Sequence, residues 1–185
     1  MGPFYRFCIP IGQPVGFVDR VPDADFSLAR LLRGAALPAT TLPTPCRFTL
    51  RPPQRKALEL ADCYLHVDLM SRRMLEVLHA AGVSNLQTWP AEIAILGSEE
   101  ILRDYVVFNV VGLVSCADTS ASQSTPLAEG SFFMELTLNP GRAAGARMFR
   151  LAESPIELIV DSSIADAIAQ ARLSHVELEA LDENE

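Results

Sequence analysis

The sequence predicts an α+β fold, with a mainly antiparallel sheet carrying two related capped helices. Two observations on the chain carry that expectation. Short runs rich in β-branched and aromatic residues alternate with turn residues, and Asp104 to Cys116 is the strongest of them. Two amphipathic segments each follow a side chain suited to cap a helix, Ser71 and Asp161. The chain has 185 residues, 49% of them hydrophobic and 21% charged, which fits one globular domain over 1–185.

Each element follows from local chemistry. Tyr5 to Ile11 and Val15 to Val18 read as strands around a Gly-Gln-Pro turn. Asp23-Ala-Asp25 can cap a short helix through Arg33, with Gly34 ending it. The Pro-rich stretch after it reads as extended loop, and Cys46 to Leu50 as a strand. Residues 55–63 predict a short helix, and Tyr64 to Val67 a short strand. Ser71 then caps a helix through Ala81, where Met74, Leu75, Val77 and Leu78 form an apolar stripe and Gly82 stops it. Asn85 to Leu96 is extended. Pro90 inside it requires an edge position or a bulge, because proline cannot donate to a ladder. Asp104 to Cys116, apolar on both faces, predicts a strand covered on both sides.

Residues 118–131 are small and polar and predict a loop. Phe132 to Leu138, Arg147 to Leu151 and Ile156 to Val160 read as strands. A helix capped by Asp161 runs to Arg172, and a last strand covers His175 to Leu181. Residues 71–89 and 161–179 align at a constant offset of 90, matching Met74 with Ile164, Leu78 with Ile168 and Ser84 with Ser174. Duplication of a helix–strand unit and chance likeness of two amphipathic helices both account for that echo.

The net charge of −8 is unevenly spread. Residues 1–150 carry 14 acids and 14 bases, whereas residues 151–185 carry nine acids and one base, Arg172. Such a pole repels phosphates and argues against nucleic acid as a partner. It reads as a solvated face with a frayed tail, or as a dock for a basic protein. No run approaches the roughly 20 apolar residues of a membrane span, and the N-terminus reads as a strand of the mature protein, not a signal peptide. The four cysteines, Cys8, Cys46, Cys63 and Cys116, lie too far apart for a zinc or redox pair and read as reduced, buried residues.

Motifs of catalysis are missing. No phosphate-binding glycine loop and no nucleophile elbow occurs. Cys63 with His66, or Cys116 with His79, remains open as a nucleophile pair; His79 falls on the exposed side of its helix and His175 in a turn. Tyr105, Asn109 and Trp89 read as sheet residues with satisfied hydrogen bonds. Neither a cofactor nor a metal is expected.

The order of motifs resembles a bacterial family first described as a domain of unknown function. It is now described as an immunity-protein family of polymorphic toxin systems, with a myxobacterial namesake. The matching features are Ser71 with its helix to Gly82, Trp89-Pro90-Ala91-Glu92, Tyr105 through Asn109 to Val110, Asp118, Phe149-Arg150-Leu151, and the strand, capped helix and strand from Ile156. They span residues 60–181, with residues 1–60 matching more loosely through Gly34 and Asp62. Asp161 stands where serine is usual, and Arg172 replaces the usual glycine.

The resemblance implies a cytoplasmic protein that binds and neutralises a cognate toxin by steric occlusion, without enzymatic activity or cofactor. If that toxin is basic, the docking candidates are Glu177, Glu179, Asp182, Glu183 and Glu185. The 118–131 loop is a second candidate. Two other functions compete. An enzyme reversing a toxin's modification would bring a histidine against a cysteine or carboxylate in a pocket. A ligand-sensing or assembly module would show a deep apolar pocket or a self-complementary face.

Overall fold

The computed structural model describes residues 4–8, 15–20, 28–54, 57–127, 130–143 and 145–183. The Gly-Gln-Pro turn, the start of the 23–33 helix and Glu185 lie outside the described residues. In chain order the strands are β1 (Phe4–Cys8), β2 (Phe17–Arg20), β3 (Cys46–Arg51), β4 (Cys63–Tyr64) and β5 (Leu69–Ser71). After helix α1 (Arg72–Ala80) come β6 (Leu86–Ile95), β7 (Ile101–Val110), β8 (Leu113–Val114), β9 (Gln123–Pro126), β10 (Ser131–Glu135), β11 (Thr137–Leu138), β12 (Met148–Leu151) and β13 (Leu158–Asp161). Helix α2 (Ser162–Ala171), β14 (Glu177–Ala180) and β15 (Asp182–Glu183) complete the chain, and short 3-10 helices cover Leu28–Arg33, Ala39–Thr41 and Leu65–Val67.

The architecture is α+β, but the strands form two principal sheets instead of one. One has six strands in the order β2-β3-β6-β7-β5-β4, and the other has five in the order β14-β1-β13-β12-β8. Most neighbours run antiparallel; β3 with β6 and β8 with β12 run parallel. Alternation along the strands assigns each face. In β7, Val107 turns to a core with Phe48, Trp89 and Ile93, while Val106, Phe108 and Val110 turn to a second core. Both sheets and both helices share that second core, through Met74 and Leu78 of α1 and Ile164 and Ile168 of α2. A third core, built on Phe4, Phe149 and Ile159, fills the far face of the five-stranded sheet.

The Ser71 hydroxyl accepts from the Met74 N–H at 3.0 Å, and the Asp161 carboxylate from the Ile164 N–H at 2.9 Å. The Asp161 carboxyl is held below its ordinary range: burial works against this, but Ser163, the Ile164 N–H and Arg147 outweigh it. The strand flanking α1 on each side, β5 and β6, are separated in their sheet by β7. Around α2, β13 and β14 are separated by β1 in the same way. Both crossovers therefore join parallel strands over one antiparallel neighbour. Contacts between the units are also reciprocal. Arg73 at the start of α1 donates to the Ala171 carbonyl at the end of α2, and Arg147 beside the α2 cap lies against Gly82, just past α1.

Arg172 holds the left-handed conformation, φ 49°, that glycine holds at Gly82, φ 89°. An L-residue there costs about 1–2 kcal/mol. Replacing Arg172 with glycine is expected to raise stability by about 0.5–1 kcal/mol, because glycine's freer unfolded chain offsets part of the relief. Urea denaturation measures it; an unchanged or lowered midpoint would show that the arginine side chain compensates its own backbone.

Several local expectations change. Residues 57–62 form no helix: the Asp62 N–H donates to the Ser174 carbonyl and the Asp62 carbonyl accepts from Ser71, so long-range partners claim this backbone. Tyr64 to Val67 is a strand only at Tyr64 and then a 3-10 turn. The 118–131 stretch contains β9, which pairs with β10; all four of its side chains are exposed, so no apolar alternation marks it. The strand expected over 104–116 ends at Val110. Gly112, at φ 109°, redirects the chain, and β8 joins the other sheet. Pro90 lies in the half of β6 that pairs only with β7, next to a register shift between Ala91 and Ile93.

Candidate functional site

A cleft of about 900 Å³ opens where the two sheets meet. Its walls come from Arg6, Phe7 and Cys8 of β1, Leu65, His66 and Asp68 around β4 and β5, and Phe132 to Met134 of β10. Arg150 of β12, with Ile156 and Glu157 from the turn between β12 and β13, closes it. Phe132 and Met134, two residues apart on β10, are 48% and 57% exposed, and Ile156 is 48% exposed.

A buried ion pair forms the floor. Arg150 donates to the Asp68 carboxylate and, at 3.0 Å, to the Pro155 carbonyl, and its guanidinium carbon lies 5.9 Å from the Phe108 ring centre. Alternation turns Arg150 to the same side of β12 as Met148, toward the shared core. Asp68 is a turn residue with φ 49°, and its carbonyl accepts from the Phe108 N–H. Burial pushes its carboxyl up, against the pull of Arg150.

A second charged group sits at the wall. Arg6 donates to Glu179 from Nε at 3.0 Å and Nη2 at 2.5 Å, and reaches Glu157 only at 3.9 Å. Glu157 is 8% exposed, and among the described residues its side chain accepts no hydrogen bond. Burial pushes its carboxyl above the ordinary 4.5, with Arg6 opposing. The folded chain therefore holds this proton to higher pH than the unfolded chain, and the stability this group contributes is full below pH 4.5 and falls as pH rises through the folded value. Glu157→Gln is expected to melt above the native chain at pH 7 and level with it below pH 4.5. Paired calorimetric melts check this, and a variant that melts lower at pH 7 would refute it.

Among the described residues, the acidic candidates lie on strands. Glu177 and Glu179 are exposed on β14, the edge strand beside β1, and Asp182 is exposed on β15. Glu179 is engaged by Arg6. Glu183 places its backbone opposite Leu138; its side chain and Glu185 lie outside the described residues. In the other candidate segment, Asp118 accepts from Ser120 and Ala121 and organises a tight turn before β9.

The histidines are dispersed. His66 stacks on Phe17 at 4.9 Å, with Nε2 2.9 Å from the Val18 carbonyl. His79 is exposed on α1, and His175 lies 2.7 Å from Glu59. Burial pushes the Cys63 and Cys116 thiols up to about 12, so both are protonated at neutral pH and are poor nucleophiles. Among the described residues no three metal-ligating side chains converge. Tyr105 and Trp89 donate to the Ala61 and Ala39 carbonyls as expected, whereas Asn109 donates through Nδ2 but leaves its buried Oδ1 without a partner.

Arg150, Asp68 and Glu157 were not singled out from the sequence as site residues. The available signal was a lone charge in an otherwise apolar strand, Met148-Phe149-Arg150-Leu151. These features define a two-sheet α+β protein with an open, apolar cleft over a buried ion pair. The profile of an immunity protein family, Imm11, matches residues 11–183. The chain belongs to that family. No curated protein matches the chain.

Proposed function

We propose that this chain is a non-enzymatic immunity protein of a polymorphic toxin system. It works in the cytoplasm as one domain and neutralises a cognate toxin by covering the toxin's working surface. The family match over residues 11–183 carries this reading. The chemistry accords with it: an immunity protein needs a complementary surface, and this chain offers a cleft and an exposed acidic strand. Glu177, Glu179 and Asp182 are exposed on that side, and with Glu183 and Glu185 of the same acidic stretch they are the residues proposed to speed capture of a basic toxin. Within the described residues no helix is long and apolar enough to cross a membrane. The matched crossovers around α1 and α2 support an origin by duplication.

Co-expression with the toxin domains encoded beside its gene tests the reading. Host survival together with a co-purifying complex is the expected result. Survival without a complex would replace occlusion by enzymatic reversal, and death with every neighbouring toxin would remove the immunity reading. The cleft also favours a second reading, a ligand-sensing module. A small molecule retained through purification would identify it.

A further inference from the structure

We propose that the cleft is the anchor point of the toxin interface. Its occupant is an apolar side chain flanked by lysine or arginine, carried on a protruding segment of a basic partner protein. This rests on the immunity reading and adds where, and by what chemistry, the partner is held.

The apolar half of the argument is exposure. Phe132, Met134 and Ile156 line one cleft with about half of each residue in water. Isolated exposed apolar residues are ordinary, but three converging on a concave site mark a surface that another molecule covers. At about 900 Å³ the cleft holds more than one side chain.

The polar half is a carboxylate with no hydrogen-bond donor among the described residues. Arg150 is committed to Asp68 and the Pro155 carbonyl. Arg6 is the one remaining cation among the cleft's described residues other than histidine, and it lies between two carboxylates, Glu179 and Glu157. Glu179 takes both of its close hydrogen bonds. Glu157 is left inside the wall without a donor among the described residues. Glu157 faces the cleft with no protein donor, so its carboxylate is open to a cationic group brought by a partner. From Arg6 and Glu179 the acidic surface continues along β14 to Glu177. An apolar centre with an acidic border is the anatomy of a protein interface with a hot spot.

The same charges choose between occupants. A second copy of this chain carries a net charge of −8 and would bring its own acidic strand to an acidic border. A small ligand fits the walls less well, because the apolar side chains stand at the open mouth and the floor is closed by the paired Asp68 and Arg150.

The test uses the full chain and the toxin domain that it neutralises in co-expression, by titration calorimetry at two salt concentrations. Phe132→Glu and Met134→Glu change exposed side chains, and melting curves confirm that both variants fold. Each is expected to weaken binding about a hundredfold, the size of a hot-spot loss. Glu157→Gln is expected to weaken binding about tenfold and flatten its salt dependence while melting higher at pH 7, a combination that a purely structural role does not give.

Binding within twofold of the native chain for both glutamate variants would overturn the anchor and leave the immunity reading standing. Absence of any binding by the native chain would overturn the anchor and replace occlusion by enzymatic reversal. A small molecule that native mass spectrometry finds in the purified chain and loses in Met134→Glu would overturn the protein occupant. Self-association abolished by Met134→Glu would overturn it in favour of a second copy.

Discussion

Replacing Arg150 with methionine is expected to cost about 3–5 kcal/mol, the loss typical of breaking a buried ion pair from one side. Arg150 is 1% exposed and Asp68 is 5% exposed, so removing the guanidinium strands a carboxylate where water cannot replace it. The same change takes the guanidinium donor from the Pro155 carbonyl and removes the cation over Phe108. Burial already pushes the Asp68 carboxyl up with Arg150 in place, and without it the proton would be held more tightly still. The loss should therefore be largest at neutral pH and shrink in acid, where the carboxyl is protonated in both states. Combining Arg150→Met with Asp68→Asn should recover much of the stability, since asparagine tolerates the left-handed turn and carries no charge. Denaturant titrations of the single and double variants at pH 5 and 7 measure the cycle. A single-variant loss below about 1 kcal/mol would show that the pair is solvated and does not tie the sheets.

Asp62→Ala is expected to cost about 3 kcal/mol, at the level of two hydrogen bonds to a charged acceptor. One Asp62 oxygen accepts from the Ser71 hydroxyl that caps α1; the other accepts from the Ser174 N–H at 2.7 Å, in the turn after α2. Arg73 stands 3.6 Å away. Asp62 thus joins the start of one helix unit to the end of the other, and truncation leaves the buried Ser71 hydroxyl and the Ser174 N–H without this acceptor. Asp62→Asn keeps one acceptor and should lose less. Hydrogen exchange should show faster opening at Ser174 as well as at β5. A loss confined to one of the two would mean that the units are not coupled through this carboxylate.

Much of the local structure was legible because its causes are local. Ser71 and Asp161 are capping side chains followed by apolar residues at helical spacing, and both caps form. The dense β-branched run around Val106 to Val110 is buried on both faces, as an inner strand must be. The errors lie where backbone is used at long range. Residues 57–62 have a helical composition, but Asp62 spends its backbone hydrogen bonds on Ser174 and Ser71, and Ala61 on the Tyr64 and Tyr105 hydroxyls. Strand β9 is all exposed and is held by pairing with β10, a relation that leaves no period in the side chains. For the site, the acidic candidates were visible as charge and the cleft was not: its walls come from residues 6 to 157, and no spacing rule joins them.

The sequence by itself determined the class of fold, the positions of the capped helices, the acidic bias of the last 35 residues and the family, because each is written in neighbouring residues or their order. The tertiary structure alone decided that the strands divide into two sheets and that Arg150 meets Asp68 across 82 positions of chain. It also decided that Glu157 lies against a cleft with exposed apolar walls. Strand order and long-range charge pairing depend on which distant segments share a core, and a local pattern of side chains does not specify that partner.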